Sequence, residues 1–313
     1  MSNPATGLRG ALRQSLVRFG ERVLLPWACA GDRPVFPPAG RPVHVVISSR
    51  TARMSVLAIQ SLEWFTQRTW DVYFHDDGTV TADLRAFIDA GLPGAVFIPR
   101  DEADRRAENA LAGYPASRRL RARHNYLLKI FDPLLVNGGV PWLLMDADVF
   151  FFRRPPELEQ WLAAPDRFFH MVDTRECYAH SREEIVRRTG IAPAARLNAG
   201  LCTLPAGALS LEDCEQRLAA LEPGCEQPMF LDQTLLALSA GERKAAPLGP
   251  EYEITWNLFR RRESVCRHYV GPAKFDHFGL EGPASLLMLL TLPRYFGRHR
   301  RATGHAETPV ELR

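Results

Sequence analysis

Asp146-Ala147-Asp148 lies between two apolar runs, Trp142-Leu143-Leu144-Met145 before it and Val149-Phe150-Phe151-Phe152 after it. Two carboxylates in such surroundings are costly to bury unpaired. In an extended chain residues i and i+2 share a face, so both can converge on one cation. Hard oxygen ligands suit Mg²⁺ or Mn²⁺, ions that keep coordination positions open for substrate phosphates. The same pair also suits a plainer role: capping a turn at a strand end, or pairing with Arg153 and Arg154. The pattern alone leaves both readings open.

Three later segments bear on the choice. Leu197-Asn198-Ala199-Gly200-Leu201 follows a polar stretch and leads into an apolar strand. Phe230-Leu231-Asp232-Gln233-Thr234-Leu235 places a carboxylate and an amide at a helix start, where plain helix capping is the alternative role. His268-Tyr269-Val270-Gly271-Pro272-Ala273-Lys274 puts an imidazole, a glycine and an ammonium within one loop. Taken by itself, a histidine beside a tyrosine packs more often than it ligates.

These groups need elements to position them. Val43–Ser48 reads as a strand buried on both faces, Met54–Gln67 as a helix and Trp70–Phe74 as a second strand. Thr81–Ala90 reads as a helix and Ala95–Ile98 as a short strand. Ser117–Val136 is a helical region broken by Pro133, and Pro141–Met145 another apolar strand. Such alternation implies an α/β domain with a mostly parallel sheet flanked by helices. Ligands bind such sheets beyond the carboxyl ends of the strands. Polar groups stand there at Ser48-Ser49-Arg50, His75-Asp76-Asp77-Gly78 and Asp146-Ala147-Asp148, and the second of these reads as an ordinary turn.

The composition of the whole chain is that of a globular protein. Its 313 residues carry 39 Lys+Arg against 36 Asp+Glu, a net charge of +3 that is too small to argue for nucleic-acid binding. With 46% hydrophobic and 24% charged residues it is not a disordered chain. The six cysteines show no CxxC and no metal-ligand spacing, so they read as buried thiols of a reducing, cytoplasmic compartment. No apolar run approaches the roughly 18 residues of a membrane span.

Residues 1–42 read as a basic amphipathic extension, with Arg9, Arg13, Arg18 and Arg22 among apolar positions, followed by a Pro-rich linker from Pro34 to Pro42. Residues 43–280 form the expected catalytic domain. At 281–313 the apolar Ala284–Pro293 stretch precedes Arg294, Tyr295, Arg298, Arg300 and Arg301. That tail suits either peripheral adsorption to the inner face of an anionic membrane or docking on the domain.

In their order along the chain, the segments around Asp146, Asn198, Asp232 and His268 resemble glycosyltransferase family eight, which contains glycogenin and bacterial lipopolysaccharide galactosyl- and glucosyltransferases. The resemblance runs from about Val43 to His277, and the loop from His268 to Lys274 carries it most distinctively. It implies the GT-A fold and a retaining transfer of hexose from a nucleotide diphosphate sugar, UDP-glucose or UDP-galactose, to a glycan or lipid-linked acceptor. Asp146, Asp148 and His268 would ligate Mn²⁺ (or Mg²⁺), which would neutralise charge on the leaving nucleotide. Lys274 and the Gly271 amide would contact the diphosphate. Asp173, Asn198 and Asp232 would hold donor-sugar hydroxyls, with Ala199 beside them. Gln233 would place its amide oxygen below the anomeric carbon.

The departures are specific. Phe275-Asp276 replaces the family's Pro-Trp, with His277 close by. Lys129 is present, but Leu127 occupies the family's Arg position, which Arg121 or Arg123 could fill from one turn back. Ser48 ends the first strand where the family reads uridine with acidic and aromatic groups. Two alternatives share these features: a sugar-phosphate nucleotidyltransferase, and a non-catalytic nucleotide-sugar binder.

Overall fold

The computed structural model describes residues 35–254 and 261–271. The extension up to Pro34, Lys274, Phe275, His277 and the C-terminal tail lie outside these residues.

The main sheet has seven strands in the order β3-β2-β1-β4-β7-β6-β8. Its first half is parallel: β1 (Pro38–Ile47) pairs with β2 (Thr69–Asp76) and β4 (Trp142–Met145), and β2 with β3 (Val96–Ile98). Helices α1 (Ala52–Thr66), α2 (Ala82–Gly91) and α3 (Arg100–Ala110) follow the first three strands. At β4 the direction reverses, because β7 (Leu197–Leu204) runs antiparallel to both β4 and β6 (Phe169–Val172). The short β8 (Ala246–Pro247) closes the sheet alongside β6. Every residue of β7 is buried, which matches its apolar sequence and its place between two strands. No helix among the described residues is long and apolar enough to cross a membrane.

Two local expectations are corrected. The proline-rich stretch is already strand, since β1 starts at Pro38. Pro38 and Pro42 pair only with β2, while β4 joins β1 at Val43 and His44, so neither proline must donate to a second neighbour. The helical region from Ser117 breaks at His124 rather than at Pro133. Helix α4 (Pro115–Arg123) ends there in extended backbone, and after a short 3₁₀ turn α5 (Leu128–Val136) contains Pro133. Arg121 is buried at this break and bonds Asp132 of α5 and Asp104 of α3, each at 2.7 Å. The His75–Gly78 segment is the expected turn, with Asp76 Oδ1 accepting from the amides of Gly78 and Val80.

A second sheet carries the rest of the site. Directly after β4 the chain forms β5 (Val149–Phe151), which pairs antiparallel with β10 (Cys266–His268); β10 in turn pairs with β9 (Tyr252–Ile254). The Phe151 amide donates to Ser61 Oγ, anchoring this sheet to α1. The later helices are α6 (Pro156–Ala163), α7 (Arg182–Thr189), α8 (Leu211–Leu221) and α9 (Leu231–Glu242). The five cysteines among the described residues are free, three of them buried.

Candidate metal and donor site

The Asp146–Asp148 turn joins the two sheets. Asp146 N donates to the Gly200 carbonyl, which holds the end of β4 to β7. Tyr269 N donates to the Asp148 carbonyl, and His268 lies opposite Val149 in the β5–β10 register. Strand pairing therefore brings a histidine far downstream against the two aspartates.

His268 Nε2 stands 3.5 Å from Asp146 Oδ2 and 3.4 Å from Asp148 Oδ1. One ligand atom from each of the three residues falls within 4.8 Å of the others. Asp148 and His268 are buried, while Asp146 keeps 25% of its side chain open. The alternative pairing with Arg153 and Arg154 is not seen among the described residues: both arginines are exposed, and Arg154 pairs with Glu159.

The donor set fits a divalent cation. His268 Nδ1 bonds Asn198 Oδ1 at 2.9 Å, and Gly200 N donates to the same oxygen, also at 2.9 Å. That oxygen can only accept, so the ring hydrogen is on Nδ1 and Nε2 faces two carboxylate oxygens. A neutral ring would then aim a lone pair at negative oxygens, and a positive centre between them relieves this. Two carboxylates and an imidazole, with one open side, suit Mn²⁺ or Mg²⁺.

Lys129 reaches the same cluster from α5. Its Nζ lies 2.8 Å from Asp146 Oδ1 and 3.4 Å from Asp232 Oδ2. Burial alone would lower the ammonium's pKa; Asp146 and Asp232 override it and raise it above the ordinary lysine value. Burial pushes the Asp232 carboxyl up, with Lys129 pulling it back. Lys129 thus spends its charge on carboxylates, and Asp232 is more than a helix cap: residue 230, not 232, holds the cap position of α9.

Gln233 sits where the sequence places it, at the start of α9, yet both ends of its amide are engaged. Oε1 accepts from Ala199 N at 3.2 Å and Nε2 donates to the Cys177 carbonyl at 2.8 Å. It laces β7 to the loop after β6. Asp173, at the start of that loop, accepts from Asn198 Nδ2 at 2.9 Å. Asp173 also borders a cleft of about 670 Å³ lined by Arg196, Leu248, Tyr252, Glu253 and Arg261 among others.

Other expected contributors fall elsewhere. Ser48 closes the turn after β1, its amide donating to Thr51 Oγ1. Gly271 ends the described segment with φ +55°, a conformation that suits glycine. Leu127 is fully buried in the core, and Arg121 is locked in its pair with Asp132 and Asp104, so Arg121 does not supply the family's arginine. Arg123 is exposed at the end of α4.

Sequence reasoning missed the work of Gly200. A Cβ there would lie 2.2 Å from His268 Nδ1, so only glycine lets the ring lie against β7. A glycine inside a buried strand is the signal that could have found it. The Cys177 carbonyl had no such signal.

No protein-family model matches the chain, and no curated protein matches it. Solved structures do. The galactosyltransferase LgtC, in complex with donor and acceptor sugar analogs, superposes with a TM-score of 0.51 at 16% identity, over 80% of this chain and 95% of that one. The fold is GT-A. The bifunctional glycosyltransferase WbbM in its apo form also superposes with a TM-score of 0.51, at 13% identity, over 87% of this chain and 53% of that one. In this chain the mixed sheet changes direction between β4 and β7, and Asp146 and Asp148 follow directly after β4.

Proposed function

We propose that the protein is a metal-assisted, retaining glycosyltransferase that moves a hexose from a nucleotide diphosphate sugar to an acceptor hydroxyl, with UDP-glucose or UDP-galactose as donor. The single observation that carries this is the convergence of Asp146, Asp148 and His268, with Nε2 of a fixed tautomer aimed at both carboxylates. GT-A neighbours that are glycosyltransferases support it.

In this reading Asp146, Asp148 and His268 hold Mn²⁺ or Mg²⁺. The ion, when bound, acts as a Lewis acid on the diphosphate leaving group. Lys129 keeps Asp146 oriented and offsets negative charge near the incoming diphosphate. Asp232, buried beside Lys129, and Asp173, at the rim of the cleft, offer carboxylate oxygens to sugar hydroxyls. Such contacts discriminate strongly against a sugar lacking the matching hydroxyl. One lone pair of Gln233 Oε1 binds the Ala199 amide, and the second is left to face the positive charge that grows at the anomeric carbon in this reading. Gly271 and Lys274 would complete the diphosphate contacts. A retained configuration asks the acceptor hydroxyl to attack from the side the nucleotide leaves. A surface glycan or lipid-linked sugar is the acceptor class this reading favours.

Gln233 provides the kinetic test. A preorganised electrostatic contact of this kind is worth about 3 kcal/mol, or roughly a hundredfold in rate. Gln233→Ala should lower kcat far more than it weakens donor binding, in single-turnover assays at saturating donor. Asp232→Ala should raise the donor Kd as well. Release of pyrophosphate in place of a nucleoside diphosphate would instead make the protein a nucleotidyltransferase. Donor binding with no turnover would make it a binding protein.

A further inference from the structure

The resemblance gives Asn198 to the donor sugar, but its amide is engaged otherwise. Gly200 N and His268 Nδ1 both bond Asn198 Oδ1 at 2.9 Å, and Asn198 Nδ2 donates to Asp173 Oδ2 at 2.9 Å. A backbone N–H can only donate and a carboxylate only accept, so the amide cannot flip without losing both bonds. The group is buried, where lost hydrogen bonds are expensive. One N–H of Asn198 is left for anything else.

The same stretch of β7 also sets Asp146, through the Gly200 carbonyl and the Asp146 amide at 2.8 Å. A single stretch of strand therefore spaces a ligand just after β4 from a ligand on β10. Gly200 keeps that spacing short, since any side chain there would strike the imidazole.

We propose that Asn198 is the positioning residue of the metal histidine: its amide oxygen, held by Gly200 N and oriented by Asp173, fixes the His268 ring with hydrogen on Nδ1 and the Nε2 lone pair toward Asp146 and Asp148. This rests on the metal-site reading above. Outer partners of this kind orient ligating histidines and raise their basicity, and their loss typically costs about 10–100-fold in metal affinity.

The test is the binding of Mn²⁺ alone to the full chain, followed by the paramagnetic resonance of the free ion, with a metal-free thermal midpoint for each protein. Asn198→Ala should weaken Mn²⁺ by about 10–100-fold. The exchanged pair, Asp173→Asn together with Asn198→Asp, keeps the net charge and again offers an accepting oxygen to Nδ1. It should bind Mn²⁺ at least as tightly as the wild type. An Asn198 that only packs would shift the midpoint and leave Mn²⁺ affinity alone, and that result overturns the proposal. An exchanged pair weaker than wild type overturns it too, and that arm stands even if the alanine variant does not fold. A wild-type chain that binds no Mn²⁺ sinks the metal reading itself, and the proposal with it.

Discussion

A methyl group on Gly200 would lie 2.2 Å from His268 Nδ1 and 2.9 Å from Asn198 Oδ1. The ring or the strand must shift, for β7 is held here to the end of β4 while its register with β6 is irregular between Asn198 and Cys202. Gly200→Ala should therefore cost about 1–3 kcal/mol of stability through overpacking. It should also weaken Mn²⁺ by at least about tenfold, as the loss of a ligand's outer support does. Chemical denaturation and a metal titration read the two effects, and normal metal affinity would mean the ring has room elsewhere. Asp148→Asn is the sharper substitution, since it removes one ligand charge with little change of volume. Metal-dependent donor binding should vanish while the metal-free protein still unfolds cooperatively, its thermal midpoint read alongside the binding. Intact Mn²⁺-dependent binding would make the carboxylates structural. At this scale the sequence was informative about ligands and poor about their supports. Asp146 and Asp148 stand out as candidates by type and spacing, and His268 only through the family resemblance. The Asn198 amide, Gly200 and the Cys177 carbonyl act through tertiary contacts that no spacing reveals.

Between elements, packing decides what local pattern leaves open. Helices and strands were legible where periodicity was strong, as in α1, β2 and β4. The helix break at His124 was not, because Arg121 must meet Asp104 and Asp132 from other helices. The strand character of Pro38–Pro42 was hidden too, since it depends on β1 having one partner there and two further on. A similar tertiary feature carries a pH prediction. His44 on β1 bonds His75 on β2 at 2.9 Å, with Tyr73 stacked on it and Trp142 edge-on. Burial lowers the His44 pKa to about 4, against 6.5 for an ordinary histidine, and holds His75 well below its usual value. Below pH 6.5 the unfolded chain takes up protons that the folded chain refuses, so stability falls with pH. For His44 the loss is complete only below the folded pKa of about 4 and amounts to roughly 3 kcal/mol. Thermal midpoints from pH 8 to about 4 should drop, and His44→Gln should flatten part of that slope. An identical slope in the variant would show that other groups set the acid sensitivity.

At the scale of the molecule, a modest charge of +3 and six scattered cysteines pointed to a globular chain without naming its chemistry. The alternation of strands and helices announced an α/β sheet, and the GT-A architecture is what the described residues form. Less legible was the division of the site between two sheets, because three-residue strands such as β5, β9 and β10 have too little sequence to show a period. The joint between those sheets gathers Asp146, Asp148 and His268, and the account stands on a cation and a nucleotide sugar meeting there. A thermal-shift matrix of nucleotide sugars, each with and without Mn²⁺, tests that most directly. A ligand that binds only the folded state at about 100 times its Kd adds about 2.7 kcal/mol of stability, enough to raise the midpoint by about 5 °C. The account predicts that rise for one UDP-hexose, only when Mn²⁺ is present, and its disappearance in Asp148→Asn. A rise that is the same without metal, or that persists in Asp148→Asn, would contradict it.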